Sequence, residues 1–196
     1  RNEQYIASNF VLETLTNMGV DIVWMIDTQD RDVVLLDHRD EQAGVERPAG
    51  AVVSALLRAN LPRIKKLAEG SNPLDRLLRT KDGLIAFAAQ ALLRTGDVGP
   101  TRGYLVFARR IDPDVLERTR ETTQFPVAMY FSQESLATLH PSVRKLWRDG
   151  SQTRLLREAS ADVMDGYAML HDVQGVPAAM LETHFDRKLV AAGHRT

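Results

Sequence analysis

Three times along the chain an apolar run rich in β-branched or aromatic residues is followed, after a short polar or Gly-containing connection, by a second such run. IVWMIDT from Ile22 and VVLLDH from Val33 flank the polar cluster Asp27-Thr28-Gln29-Asp30-Arg31-Asp32. LIAFAAQALL, ending at Leu93, and YLVFARRI, from Tyr104, flank the loop TGDVGPTRG. YAMLHDV and AAMLETHF flank Gln174-Gly175-Val176-Pro177. Parallel strands need a crossover of about a dozen residues or more, so connections this short join antiparallel partners. The chain is therefore organised around antiparallel hairpins.

The segments between read as helices. From Asn2 to about Met18 there is no Gly or Pro, Ile6, Phe10, Val11, Leu15 and Met18 form one stripe, and Gly19 is a stop signal. Val53, Leu56, Leu57, Leu61, Ile64 and Leu67 predict two short helices between Gly50 and Leu78, with Pro62 marking the break or start of one. Asp112-Pro113-Asp114 is a helix start before Val115–Thr123, and PVAMYF follows as a strand. Ser132 to Ala161 reads as helical, broken at His140-Pro141, and Asp186–Thr196 as an exit helix. The expected architecture is α+β: an antiparallel β-sheet flanked by helices, helical at both ends, with residues 1–196 as a single domain.

Charge and composition remove several function classes. A formal net charge of −1 without a long basic run lacks the footprint of a nucleic-acid binder. The absence of cysteine excludes thiolate catalysis and cysteine-ligated zinc. No apolar stretch approaches the roughly 18 residues of a membrane span, so spans are expected to flank the chain. Beginning at Arg1, inside an apparent helix, the sequence is expected to be a fragment of a larger protein.

No catalytic constellation emerges. The DTQDRD cluster lacks the central Gly and closing Glu of a calcium loop and reads as a hairpin turn. His38-Arg39-Asp40 lacks the other kinase elements, and there is no GxSxG elbow and no HExxH helix. Carboxylate pairs such as Asp112/Asp114 and Asp162/Asp165 read as capping and solvated charge. In the last hairpin, a four-residue turn pairs Val173 with Ala178, which places His184 opposite Tyr167 and His171 opposite Met180; the two histidines do not meet, and no metal site is expected. No cofactor is expected either. What remains is binding: Arg109 and Arg110 lie on opposite faces of a strand, so one faces inward, either toward a ligand's carboxylate or phosphate or, more commonly, toward a neighbouring Asp or Glu.

The runs RNEQYIASNF, NMGVDIVWMIDTQDRDVVLLD, LLRTKDGLIAFAAQALL, TRGYLVFARRIDPDVLERT and YAMLHDVQGVPAAMLETHFDRKLVAAG, in that order, resemble the fourth family of CHASE-type extracellular sensor domains, relatives of Cache domains. The resemblance implies a PAS/Cache-like, non-enzymatic, periplasmic sensor on the extracytoplasmic side of the bacterial inner membrane. It implies attachment through flanking spans to a diguanylate cyclase or phosphodiesterase, or to a histidine kinase. The family's turn Gly between the first two strands is replaced, at Arg31 or Asp32, and its acidic and aromatic upstream motif is not in the chain. The implied ligand is a small molecule, held on one sheet face under the Gly50–Leu78 insertion by Trp24, Phe87, Tyr104 and Arg109; a homodimer is compatible with this reading. The alternative is a ligand-free PAS-like interaction module whose pocket is filled by its own side chains.

Overall fold

The computed structural model describes residues 12–37, 47–48, 51–69, 77–80, 83–93, 99–150 and 152–186. Its helices are α1 (Leu12–Asn17), α2 (Ala51–Ala59), α3 (Leu61–Ala68), α4 (Pro113–Thr123), α5 (Gln133–Ala137) and α6 (Pro141–Asp149). Its strands are β1 (Ile22–Asp27), β2 (Asp32–Asp37), β3 (Arg47–Pro48), β4 (Leu77–Thr80), β5 (Gly83–Leu92), β6 (Gly103–Ile111), β7 (Val127–Tyr130), β8 (Arg154–Glu158), β9 (Val163–His171) and β10 (Pro177–Asp186). The architecture is α+β, as expected, but the strands divide between two sheets, in the orders β3-β2-β1-β6-β5-β4 and β7-β10-β9-β8. The contacts gather residues 1–78 with 85–110 into one compact unit, and residues 79–84 with 111–196 into another.

In the first unit β1 pairs antiparallel with both β2 and β6. α1 ends at Gly19, whose left-handed backbone (φ +67°) lets the Val20 amide donate to Leu15 (2.8 Å). Of the expected first helix, residues 2–11 lie outside the described residues. The Asp27 carboxylate builds the β1–β2 turn: Oδ1 accepts from the Gln29 (2.8 Å) and Arg31 (3.0 Å) amides, and Asp30 takes the left-handed position (φ +62°). Asp30, and neither Arg31 nor Asp32, holds the position of this turn whose backbone favours Gly. Asn60 separates α2 from α3, and Pro62 sits in α3's first turn, where its missing N–H costs nothing. Leu57 and Ile64 are fully buried.

In the second unit α4 starts as expected, with the Asp112 carboxylate accepting from the Val115 amide (3.0 Å). α5 and α6 are separated at His140-Pro141, and α6 ends at Gly150 in the left-handed conformation. The helix expected to reach Ala161 instead gives way to β8, whose side chains alternate between exposed and half-buried because it is an edge strand on β9. β4 is likewise a strand where the helical region was expected to run to Leu78. Asp186 closes β10, and residues 187–196 of the expected exit helix lie outside the described residues.

The β9–β10 register corrects the expected one. Tyr167 lies opposite Glu182, His184 opposite Asp165 and His171 opposite Pro177, because the turn closes from the Asp172 amide to Val176 (2.8 Å), with three residues between them instead of four, and an irregularity between Pro177 and Ala179 then moves the rest by one. Alternate residues then separate two layers. Tyr167, Met169 and Met180 pack under Leu136, Leu139, Val143 and Leu146 of the α5–α6 region. On the opposite side Ala179 and Leu170 join Leu84, Ile111, Met129 and Phe131. Among the described residues no helix is long and apolar enough to cross a membrane.

Candidate ligand-binding face

The β1–β6 ladder determines which expected site residues can meet. Trp24 lies opposite Val106 and Ile26 opposite Tyr104. Cross-strand partners share a face, so Trp24 and Tyr104 are diagonal neighbours on one side of the sheet. Both are buried. Phe87 is buried on the same side of β5 as Ile85 and Ala89. Arg109 belongs to the other face of β6, the face of Leu105 and Phe107, which pack with Leu15 and Val23. Its guanidinium lies against Gly19, where an added Cβ would collide with it. Strand alternation therefore separates Arg109 from Trp24 and Tyr104.

Arg110, the neighbour, shares their face, and there an acid neutralises it. Its guanidinium grips Asp37 with both terminal nitrogens (2.8 and 2.5 Å), and its amide donates to the Asp21 carboxylate (2.7 Å). The commoner expectation for an inward arginine holds for Arg110.

Five charged side chains surround the two rings, of which the sequence marks only Asp30 and Asp32, and those as turn residues. The Trp24 indole donates to Asp32 (2.7 Å), and Arg58 of α2 bridges to the same carboxylate (2.5 Å) with its guanidinium 6.0 Å from the indole centroid. Lys65 of α3 pairs with Asp30 and stands 5.4 Å from the Tyr104 ring centre. The Tyr104 hydroxyl donates to Glu69 (3.0 Å); burial, then this bond to an acid, raises its pKa above the usual phenol value. The only sequence trace of this arrangement is that Arg58, Lys65 and Glu69 flank the apolar stripe of α2 and α3. Chemically the face joins two flat apolar surfaces to cations and carboxylates that hold one another at its rim.

A second polar cluster lies on the four-stranded sheet. Asp165 (2% exposed) accepts from Arg157 and pairs with His184 (2.7 Å). Glu182 (8% exposed) accepts from the hydroxyls of Tyr167 and Tyr130, each at 2.5 Å. Burial pushes the Tyr130 phenol up, reinforced by Glu182, to about 12, and raises Tyr167 for the same reasons. Burial would raise the Asp165 carboxyl, but hydrogen bonds from His184 and Arg157 outweigh it and hold it below its ordinary value. Ligand atoms of Asp165, Glu182 and His184 lie within 4.8 Å of one another, spacing that could suit a cation. Arg157, His184 and two phenols already occupy these carboxylates, so the cluster as folded is an internal network. The register error hid it, since Tyr167–Glu182 and Asp165–His184 are directly opposed pairs.

A sequence model of the CHASE4 domain matches residues 1–130. Among curated proteins none matches the chain. Among solved structures it is similar to the periplasmic domain of Vibrio cholerae LuxQ (TM-score 0.46, 15% identity, covering 94% of this chain and 79% of that one). It is also similar to the extracellular ligand binding receptor from Desulfohalobium retbaense (TM-score 0.45, 12% identity, 94% of this chain and 35% of that one).

Proposed function

The chain belongs to the CHASE4 domain family, and from that premise we propose that it senses a small, charged molecule on the face of β1 and β6 that carries Trp24 and Tyr104. It is an extracytoplasmic sensor domain of a membrane signalling protein, and no enzyme family is indicated. The observation that carries the ligand part of the reading is the pairing of Arg58 with Asp32 and of Lys65 with Asp30 above buried aromatic rings. These ion pairs tie α2 and α3 to the β1–β2 hairpin through partly exposed groups, which exchange partners at little cost.

A ligand presenting its own carboxylate to Arg58 or Lys65, or its own amine to Asp30 or Asp32, replaces one pair with another at the rim over the buried rings. Its differential affinity for two placements of α2 and α3 is the signal. In this reading the domain is PAS/Cache-like in use, and its terminal helices carry the shift through flanking spans to a diguanylate cyclase, a phosphodiesterase or a histidine kinase. In this reading Phe87, buried on β5, contributes apolar backing, and Arg109 acts from the far side of β6, against Gly19 at the end of α1.

One observation favours a second reading, a ligand-free interaction module: the polar groups around Trp24 are satisfied by one another and the indole is fully buried. A thermal-shift screen against amino acids, organic acids, polyamines, nucleotides and metal ions separates the two, because a ligand specific to the folded state raises the melting temperature by mass action. The sensor reading expects a saturable shift that Lys65→Ala or Arg58→Ala weakens. A folded protein silent to the whole panel sends the assignment to the interaction module.

A further inference from the structure

The geometry points to a separate binding site for a small organic anion with a flat apolar body, in a cleft of about 570 Å³ between α5 and α6. The volume is in the range of small-molecule sites. Leu136 and Trp147 supply its apolar walls, and Gln133, Arg144 and Arg148 its polar ones. Trp147 is half-buried and packs on the core beneath, so its ring is held in place.

The charges here are arranged unlike those of the Trp24 face. There Arg58 has a carboxylate partner in Asp32. Arg144 and Arg148 have none among the described residues, and the Gln133 amide is unpaired as well. They are four residues apart on α6, so they project from the same side of the helix, where like charges repel. An anion seated between them relieves that repulsion, and guanidinium forks match the two oxygens of a carboxylate. Trp147, between them in sequence and lining the same cleft, offers a surface for stacking, and Gln133 a neutral donor from the facing helix. Charge thus selects the head of the ligand and the indole its body.

The inference does not rest on the Trp24 face, and its test keeps the two apart. Naphthalene-2-carboxylate is titrated into the full chain by calorimetry, with naphthalene-2-carboxamide and inorganic phosphate as comparison probes. Expected are saturable binding of one carboxylate per chain, weakening as salt is raised. Arg144→Gln/Arg148→Gln is expected to weaken it by at least about tenfold, the scale of a lost charge-assisted contact. Lys65→Ala is expected to leave it unchanged. Circular dichroism verifies that the double variant, altered only at exposed positions, is folded. Absence of binding, equal binding of the carboxamide, or undiminished binding to the folded double variant overturns the inference. Phosphate binding as tightly as the naphthoate overturns the assignment of the apolar body.

Discussion

The two units put their acids in opposite places. In the first, the rings of Trp24 and Tyr104 are inside, and Asp30, Asp32, Arg58 and Lys65 hold one another at a partly exposed rim. In the second, the carboxylates of Asp165 and Glu182 are inside, and phenols, a guanidinium and an imidazole reach in to them. Water can replace a rim charge that is lost, whereas the loss of a buried partner strands whatever it held. The first arrangement suits exchange with a ligand; the second is a permanent brace.

The contrast is broken most severely at Asp165. Asp165→Ala leaves Arg157 and His184 without their acceptor, and about 3 kcal/mol of stability is expected to be lost in urea unfolding. Tyr167→Phe removes one of the two phenols on Glu182, at about 2 kcal/mol by the same measurement. If Arg58→Ala costs as much as either, the rim is not exchangeable; its expected cost is under about 1 kcal/mol, since both partners are substantially exposed.

Titration sharpens the same comparison. A carboxyl lowered by folding stabilises above its unfolded pKa, and that contribution is lost as pH falls through the folded value. Asp165 should therefore destabilise the chain below about pH 4, and the acid limb of a melting-temperature profile should flatten in a folded Asp165→Asn variant. A phenol raised by folding stabilises below its unfolded pKa, near 10, and the contribution drains away as pH rises toward the folded value, about 12 for Tyr130. Tyr130→Phe should thus reduce the alkaline loss.

The smallest effect expected is at the turns. The β9–β10 turn repeats the β1–β2 turn bond for bond: Asp172 accepts from the Gln174 (2.8 Å) and Val176 (3.0 Å) amides, and Gly175 (φ +76°) stands where Asp30 stands in the first. Gly175→Ala should cost about 1 kcal/mol, whereas Asp30→Gly should change stability by under about 0.5 kcal/mol, backbone relief offsetting the lost Lys65 pair. Equal effects in thermal melts would mean that the matched hydrogen bonds do not impose matched backbone strain.

Much of this fold is legible in local chemistry. Asp112 caps α4, Gly19 stops α1, His140-Pro141 divides α5 from α6, and the apolar runs pair as hairpins, each an interaction over a few residues. β8 was not legible, because RLLRE has too few apolar positions to distinguish a two-residue from a 3.6-residue period. Of the candidate site, aromatic positions on strands could be named, but the partners of Trp24 and Tyr104 come from α2, α3 and a turn, with Lys65 and Asp30 separated by 35 positions.

By itself, then, the sequence determines where elements start and stop, the inside–outside alternation of each strand, and the turn chemistry of Asp27 and Asp172, because these depend on the backbone and its nearest neighbours. Tertiary structure alone decides the division of the strands into two sheets and the placement of Arg110 rather than Arg109 on the face that carries Trp24, whereas the two-residue offset of β10 against β9 is set at the Asp172 turn. An offset of two residues preserves every side chain's face, so local alternation cannot choose between the registers. The Asp172–Val176 turn and the irregularity after Pro177 choose one of them, whereas sheet membership depends on packing between elements far apart in the chain.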